Sequence, residues 1–218
     1  MIEILNLGLQ DYVKVWQLQQ TLLSQRAENQ ICDQLILVEH PPVYTTGRAF
    51  RPEHLIRTPP APVIAVERGG SVTFHEPGQL VAYPIFKLEA ERRDIHGFLR
   101  GLEQTLINTL AHFGYMGTRD ERNTGVWIEN KKVAAIGIAV RRWVTWHGFS
   151  INIHNNLALT PFIAPCGFDA SWVTTLAESA SYRQQNPTSP PLSQETPALE
   201  AVKAHLIKEI QSWWELRK

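Results

Sequence analysis

The chain has 218 residues, 44% of them hydrophobic, which is enough for one soluble globular domain with a buried core. Its 21 Lys and Arg balance 21 Asp and Glu, so it lacks the broad positive field of a nucleic-acid binder and no nucleic-acid partner is expected. No uncharged apolar run approaches the roughly 20 residues that cross a bilayer, and the start, MIEILNLGLQDYVKVW, has no basic-then-apolar leader, so the expected location is cytoplasmic, without membrane association.

In chain order, Val13, Trp16, Leu18, Leu22 and Leu23 recur at helical spacing between Leu9 and Ala27, and predict an amphipathic helix after Asp11. Gln34 to Glu39 reads as a short buried strand stopped by His40-Pro41-Pro42. The proline- and arginine-containing VYTTGRAFRPEHLIRTPPAP then reads as a loop. Val63 to Val66 and Leu80 to Phe86 are the next strands, which leaves RGGSVTFHEPGQ, residues 68–79, as the connection between them. Asp94 is an N-cap for a helix whose apolar residues run from Ile95 to Phe113, with Gly114 just past its end.

Three strands follow, at Thr124 to Ile128, Lys132 to Val140 and Val144 to Ile153. Glu129-Asn130-Lys131 and Arg141-Arg142-Trp143 are the hairpin turns between them. Arg183 to Glu195 (183–195) is polar and proline-rich, an expected exposed loop. A C-terminal helix (196–216) starts near Thr196-Pro197 and is predicted to bury Leu199, Val202, Leu206, Ile210 and Trp213. Hairpin-linked strands with three helices predict an α+β fold over 1–218, a single domain with a mixed or antiparallel sheet flanked by helices.

There is no phosphate loop, no GxGxxG, no HExxH, no GxSxG and no CxxC, and His147 and His154, seven apart on a regular strand, face opposite ways. No metal site is expected. Two cysteines remain. Cys32, beside a buried strand, reads as a small core hydrophobe, with both thiols reduced. Cys166 lies in Ala164-Pro165-Cys166-Gly167, where proline stiffens the approach and glycine clears the neighbouring side chain; taken alone it reads as a core residue or as a nucleophile, and the residue type favours the first. A nucleophilic thiol needs a nearby cation, since at a reference pKa of about 8.5 only a few per cent is thiolate at neutral pH. Lys132, opening the apolar strand VAAIGIAV, is a candidate, although a hairpin lysine is ordinarily solvated.

Read together, LILVEHPPVYTTGR (35–48), RGGSVTFHEPGQLVAYPI (68–85), TGVWIENKKVAAIGIAVRRWVTWHGFSINI (124–153) and IAPCGF (163–168) closely resemble the successive motifs of the lipoyl(octanoyl) transferase family. The resemblance implies the α+β catalytic-domain fold shared with biotin- and lipoate-protein ligases. It implies an acyltransferase that moves an octanoyl group from octanoyl-acyl carrier protein through a cysteine thioester to a lysine. That lysine would lie on lipoyl domains of 2-oxoacid dehydrogenase E2 subunits or on the glycine-cleavage H protein, in lipoate biosynthesis. Matched by motif, Cys166 is the acyl-thioester nucleophile and Lys132 its charge partner. Substrate-binding walls are Arg68, Gly69, Gly70, Ser71, Val72, Thr73, Phe74 and His75, then Ala135, Ile136 and Gly137, then Gly148, Phe149 and Ser150. No cofactor is required, because thioester exchange followed by aminolysis runs downhill without ATP.

The family usually has HGPGQ where this chain has His75-Glu76-Pro77-Gly78-Gln79, and a positive φ at Glu76 would be strained. Carrier proteins are generally acidic, which makes Arg48, Arg51, Arg141 and Arg142 a candidate docking patch. An ATP-dependent lipoate-protein ligase of the same fold, needing no cysteine, and a non-catalytic acyl- or lipoyl-domain-binding module are the alternatives.

Overall fold

The computed structural model describes residues 1–185 and 196–217, and the side chains of these except Arg92, Cys166 and residues 181–185. Among the described residues nine strands form two sheets. The larger contains β1 (Ile2–Leu9), β2 (Asp33–Glu39), β6 (Gln79–Ile85), β9 (Val144–Asn152), β8 (Lys131–Arg141) and β7 (Gly125–Ile128), side by side in that order. Only its β1–β2 pair is parallel. The smaller sheet places β3 (Val43–Thr46) between β4 (Val63–Ala65), parallel to it, and β5 (Val72–His75), antiparallel.

Alternation along β2 assigns the two faces of the larger sheet. Leu35 and Leu37 join a core with Phe98, Leu102 and Leu106 of α2 (Ile95–His112) and with Val202, Leu206 and Ile210 of α4 (Leu199–Leu216). Ile36 and Val38 point the other way, to Val15 and Leu23 of α1 (Tyr12–Ala27). The helix starts use the expected chemistry: Asp11 Oδ1 accepts from Lys14 N at 3.1 Å and Asp94 Oδ1 from Gly97 N at 2.8 Å. Asp33 ties the layers together, accepting from Arg26 Nε at 2.6 Å, Lys87 N at 3.0 Å and Trp214 Nε1 at 2.7 Å.

The hairpins fall where the sequence places them, with positive φ at Glu129 and Asn130 (49° and 65°) and at Arg142 and Trp143 (52° and 60°), the geometry that matches the twist of the flanking strands. Elsewhere the structure corrects the sequence reading. Ile2–Leu9, given no element by the sequence reading, is β1, and Val43–Thr46, read as loop, is β3. The stretch 68–79 is not only a connection, since it contains β5. Residues 183–185 belong to a helix, α3 (Leu176–Gln185), while 186–195, the rest of the expected loop, lie outside the described residues. In α4 the buried tryptophan is Trp214, with Trp213 only partly covered. Cys32 is exposed rather than core, because it precedes β2 at the surface. No helix among the described residues is long and apolar enough to cross a membrane.

Candidate active site

Helix α1 covers only part of its face of the larger sheet. Over the remainder lie Arg68 to Gly70 and β5, and between these layers is a cavity of about 490 Å³. Its floor is made of short side chains. Val81 pairs with Ser150 and Ser150 with Ala135; Gly148 pairs with Gly137, and all of them line the space. A sheet normally fills such a face with branched residues; here alanine, serine and glycine leave room for an extended apolar ligand.

The roof is fixed by backbone hydrogen bonds at its two edges. Gly69 N donates to Ile138 O of β8 at 2.8 Å, while on the other side Arg48 N donates to Arg68 O at 3.0 Å and Ala49 N to Gly70 O at 3.0 Å. Arg68 itself, 8% exposed, serves the loop: its Nη2 donates to Thr45 O at 2.7 Å and its Nη1 to Gly69 O at 2.9 Å. His75 Nδ1 bonds Gln79 Oε1 at 2.6 Å, and Gln79 Nε2 donates to Asn152 Oδ1 at 2.8 Å. Asn152 Nδ2 in turn donates to Thr174 O at 3.0 Å. Burial, then the neighbouring His40, pushes the His75 imidazole down to about 3, so it is neutral. Burial, then Arg68, holds His147 at about 3 as well, and burial raises Tyr12 to about 12. The rear of the cavity is polar, with Arg68 in its lining and the Glu67 carboxylate 3.6 Å from His147 Nε2.

At the other end stands Lys132, 8% exposed. Its Nζ donates to Asn123 Oδ1 at 2.7 Å and sits 5.9 Å from the Trp127 ring centre. Gly125 makes this possible, since a Cβ there would stand 2.6 Å from Lys132 Cε. The segment that follows the cysteine is attached at the same point: Val173 bridges Lys132, and Thr174 N donates to Lys132 O at 3.0 Å. Cys166 sits in a 3-10 turn, Pro165–Gly167, whose neighbours Pro165 and Phe168 line the cavity; its own side chain lies outside the described atoms. Phe168 stacks on Trp172 at 5.2 Å, and Arg122 lies over both Trp127 and Trp172, at 4.6 and 4.4 Å.

The structure therefore brings Arg68, Gly69, Gly70, Val72, Thr73, Phe74 and His75 to one cavity with Lys132, Ala135, Ile136, Gly137, Gly148, Phe149 and Ser150. Ser71 is absent from the lining, and its hydroxyl meets His54 Nδ1 instead. Sequence reasoning missed Tyr12, Tyr83, Asn123, Trp127 and Trp172, which also line the space; Trp127 within TGVWI was the one with a visible signal. Glu76 does not take the strained positive φ, which falls at Gly78 (87°). Its carboxylate is buried and accepts from Leu157 N at 3.0 Å and Asn155 Nδ2 at 3.2 Å, so the substitution is accommodated by the segment after β9. Arg48, Arg51, Arg141 and Arg142 are all exposed, Arg142 beside Glu28 at 3.3 Å.

The cavity thus combines a small-residue floor, a hydrogen-bonded roof and Lys132 at one end. The model for the lipoyl protein ligase A/B catalytic domain matches residues 11–211. Solved structures show the same fold: a bi-partite lipoate protein ligase from Thermoplasma acidophilum superposes with a TM-score of 0.64 at 14% identity, covering 98% of this chain and 83% of its own. A biotin protein ligase from Aquifex aeolicus gives 0.55 at 10%, covering 98% and 68%. An octanoyltransferase of Synechococcus elongatus is 48% identical over 183 residues, 80% of this chain and 77% of the relative. One from Syntrophotalea carbinolica is 40% identical over 211 residues, 97% and 93%. Within the ligase A/B class, the chain belongs to the lipoyl(octanoyl) transferase family.

Proposed function

We propose that this protein is an octanoyltransferase of protein lipoylation, a single catalytic unit over 1–218 acting in the cytoplasm. It takes octanoyl from octanoyl-acyl carrier protein and passes it to a lysine of lipoyl domains, those of 2-oxoacid dehydrogenase E2 subunits and the glycine-cleavage H protein. The observation that carries this reading is the slot itself: its apolar, short-side-chain floor suits a saturated chain, and both Lys132 and Pro165 of the Pro165–Gly167 turn line it.

In the first half-reaction the Cys166 thiolate attacks the thioester carbonyl and the S–C bond to the carrier breaks, the carrier sulfur leaving as a thiol with the proton that the Lys132 ammonium gives up. In the second, the acceptor amine attacks the Cys166 thioester, the C–N bond forms, and the Cys166 sulfur departs. Lys132, as ammonium, favours the thiolate; as amine it accepts the proton that the incoming nitrogen sheds. Exposed Arg48, Arg51, Arg141 and Arg142 would meet the acidic carrier, a contact that weakens with salt. Both half-reactions conserve acyl groups and need no nucleotide. The ligase alternative draws on the shared ligase A/B family model and on fold at 14% identity, whereas the relatives at 40% and 48% identity are octanoyltransferases.

Intact-mass measurement after mixing with octanoyl-acyl carrier protein tests the reading. One octanoyl group on the Cys166 peptide, absent from Cys166→Ala, is expected; transfer retained by Cys166→Ala with ATP and free lipoate would establish the ligase instead.

A further inference from the structure

We infer that His54 is a positioning residue for this reaction: its ring joins the acyl-binding roof to the turn that carries Cys166. The inference rests on the function proposed above and concerns a residue outside the motifs that identify the family.

His54 closes the short turn Pro52–His54. Its Nδ1 accepts from Arg51 N at 3.3 Å and meets Ser71 Oγ. A backbone N–H only donates, so Nδ1 is the bare, accepting nitrogen, the Ser71 hydroxyl donates to it, and the ring proton sits on Nε2. That Nε2 faces the cysteine turn, 3.6 Å from where a Cβ on Gly167 would stand. Backbone pairing brings the same residues together: Ala164 N donates to His54 O at 2.8 Å, Ile56 N to Phe162 O at 2.9 Å, and Leu55 bridges Ile163. Ser71, 3% exposed, is held from the other side, its carbonyl accepting from Gly47 N at 2.7 Å.

Three segments distant in sequence, 51–56, 68–71 and 162–167, thus converge on one imidazole. The ring explains why Ser71 alone of the stretch 68–75 leaves the cavity lining, since its side chain is used on the outer face of the roof. The roof positions the acyl chain and the turn positions the sulfur. Their mutual placement decides whether the thioester carbonyl lies within attacking distance, and a shift of about 1 Å costs on the order of 100-fold in rate.

The test compares His54→Phe, which keeps a ring without polar atoms, with His54→Asn, whose amide oxygen falls near the Nδ1 position and still accepts from Ser71 and Arg51 N. Two rates are followed on the Cys166 peptide: octanoylation by octanoyl-acyl carrier protein at saturation, and alkylation by iodoacetamide, which needs no roof. Exposed Cys32 also alkylates and is counted separately on its own peptide. Octanoylation is expected to fall about 10- to 100-fold in His54→Phe and to stay within about 3-fold of native in His54→Asn, with alkylation unchanged in both. Ser71→Ala, which removes the hydroxyl from the other side, should lose octanoylation in the same way, and it decides the matter if His54→Phe does not fold. Native octanoylation in His54→Phe or, in its place, Ser71→Ala, or an equal loss in His54→Asn and His54→Phe, overturns the inference. So does alkylation falling in step with octanoylation, because the ring would then act on the thiol itself. Failure of the native protein to octanoylate Cys166 would instead overturn the proposed function.

Discussion

Replacing Gly137 by alanine asks whether the acyl chain lies between floor and roof. A Cβ at 137 would stand 2.8 Å from Gly69 O and 3.3 Å from Arg68 Cδ, closer than the roughly 3.5–4.0 Å of comfortable non-bonded contact, so the roof must lift by about 0.5–1 Å. It resists, because Gly69 N is tied to Ile138 O at 2.8 Å and Arg68 to Thr45 O at 2.7 Å. The resulting overpacking costs about 1–3 kcal/mol of stability. Five residues of strand rise place position 137 about 16 Å along β8 from position 132, so the disturbance falls far from the thioester and close to the tail. Single-turnover acylation of Cys166 by octanoyl and butyryl thioesters separates these effects. The octanoyl rate is expected to fall about 10-fold or more, with butyryl nearly unchanged. Equal losses for both chains, or an undisturbed octanoyl rate, would refute the reasoning.

Lys132→Ala removes the cation from the end of the slot, and the pH profile of Cys166 alkylation should move toward alkali by about one unit or more; a superimposable profile would show that Lys132 does not act on the thiol. His75 and His147 sit at about 3 while exposed histidine titrates near 6.5. Between those values the unfolded chain binds protons that the folded one does not, so stability is lost as pH falls from about 6.5 toward 5, by up to about 1.4 kcal/mol per unit for each group. Urea unfolding of the native protein and of His147→Gln at pH 7, 6 and 5 measures this, and parallel curves would rule out His147 as a contributor. Asp33→Asn takes the nearer carboxylate from partly buried Arg26, leaving it exposed Glu89 at 3.7 Å, and should cost about 2–4 kcal/mol while sparing the acylation rate constant. A melting temperature equal to native would contradict that role.

The parts of the fold written in local pattern were legible. Asp94 and the apolar spacing after it mark α2, and the two hairpins around β8 follow from strand runs broken by turn residues. What was missed depends on distant partners. β1 is a strand because it pairs with β2 in parallel across the whole of α1, and Val43–Thr46 because β4 and β5 flank it. Neither pairing leaves a local mark. Trp213 and Trp214 are adjacent in α4, and which one is buried is settled by Phe86 and Asp33, to which Trp214 packs and donates. For the site, segments recognised by motif led to the residues that line the slot, whereas Asn123 and His54 stand in no such segment and needed the contacts themselves.

The slot has one wall on each sheet, β8 and β9 below and β5 above. A fatty tail seated there would wedge the two sheets together as a core side chain does. On the proposed function, the loaded enzyme would be the better-packed molecule, and the same contacts that complete the interior would shelter the cargo from hydrolysis. Release to the acceptor would then reopen a seam in the protein, and the empty form would be the state most exposed to heat and proteases.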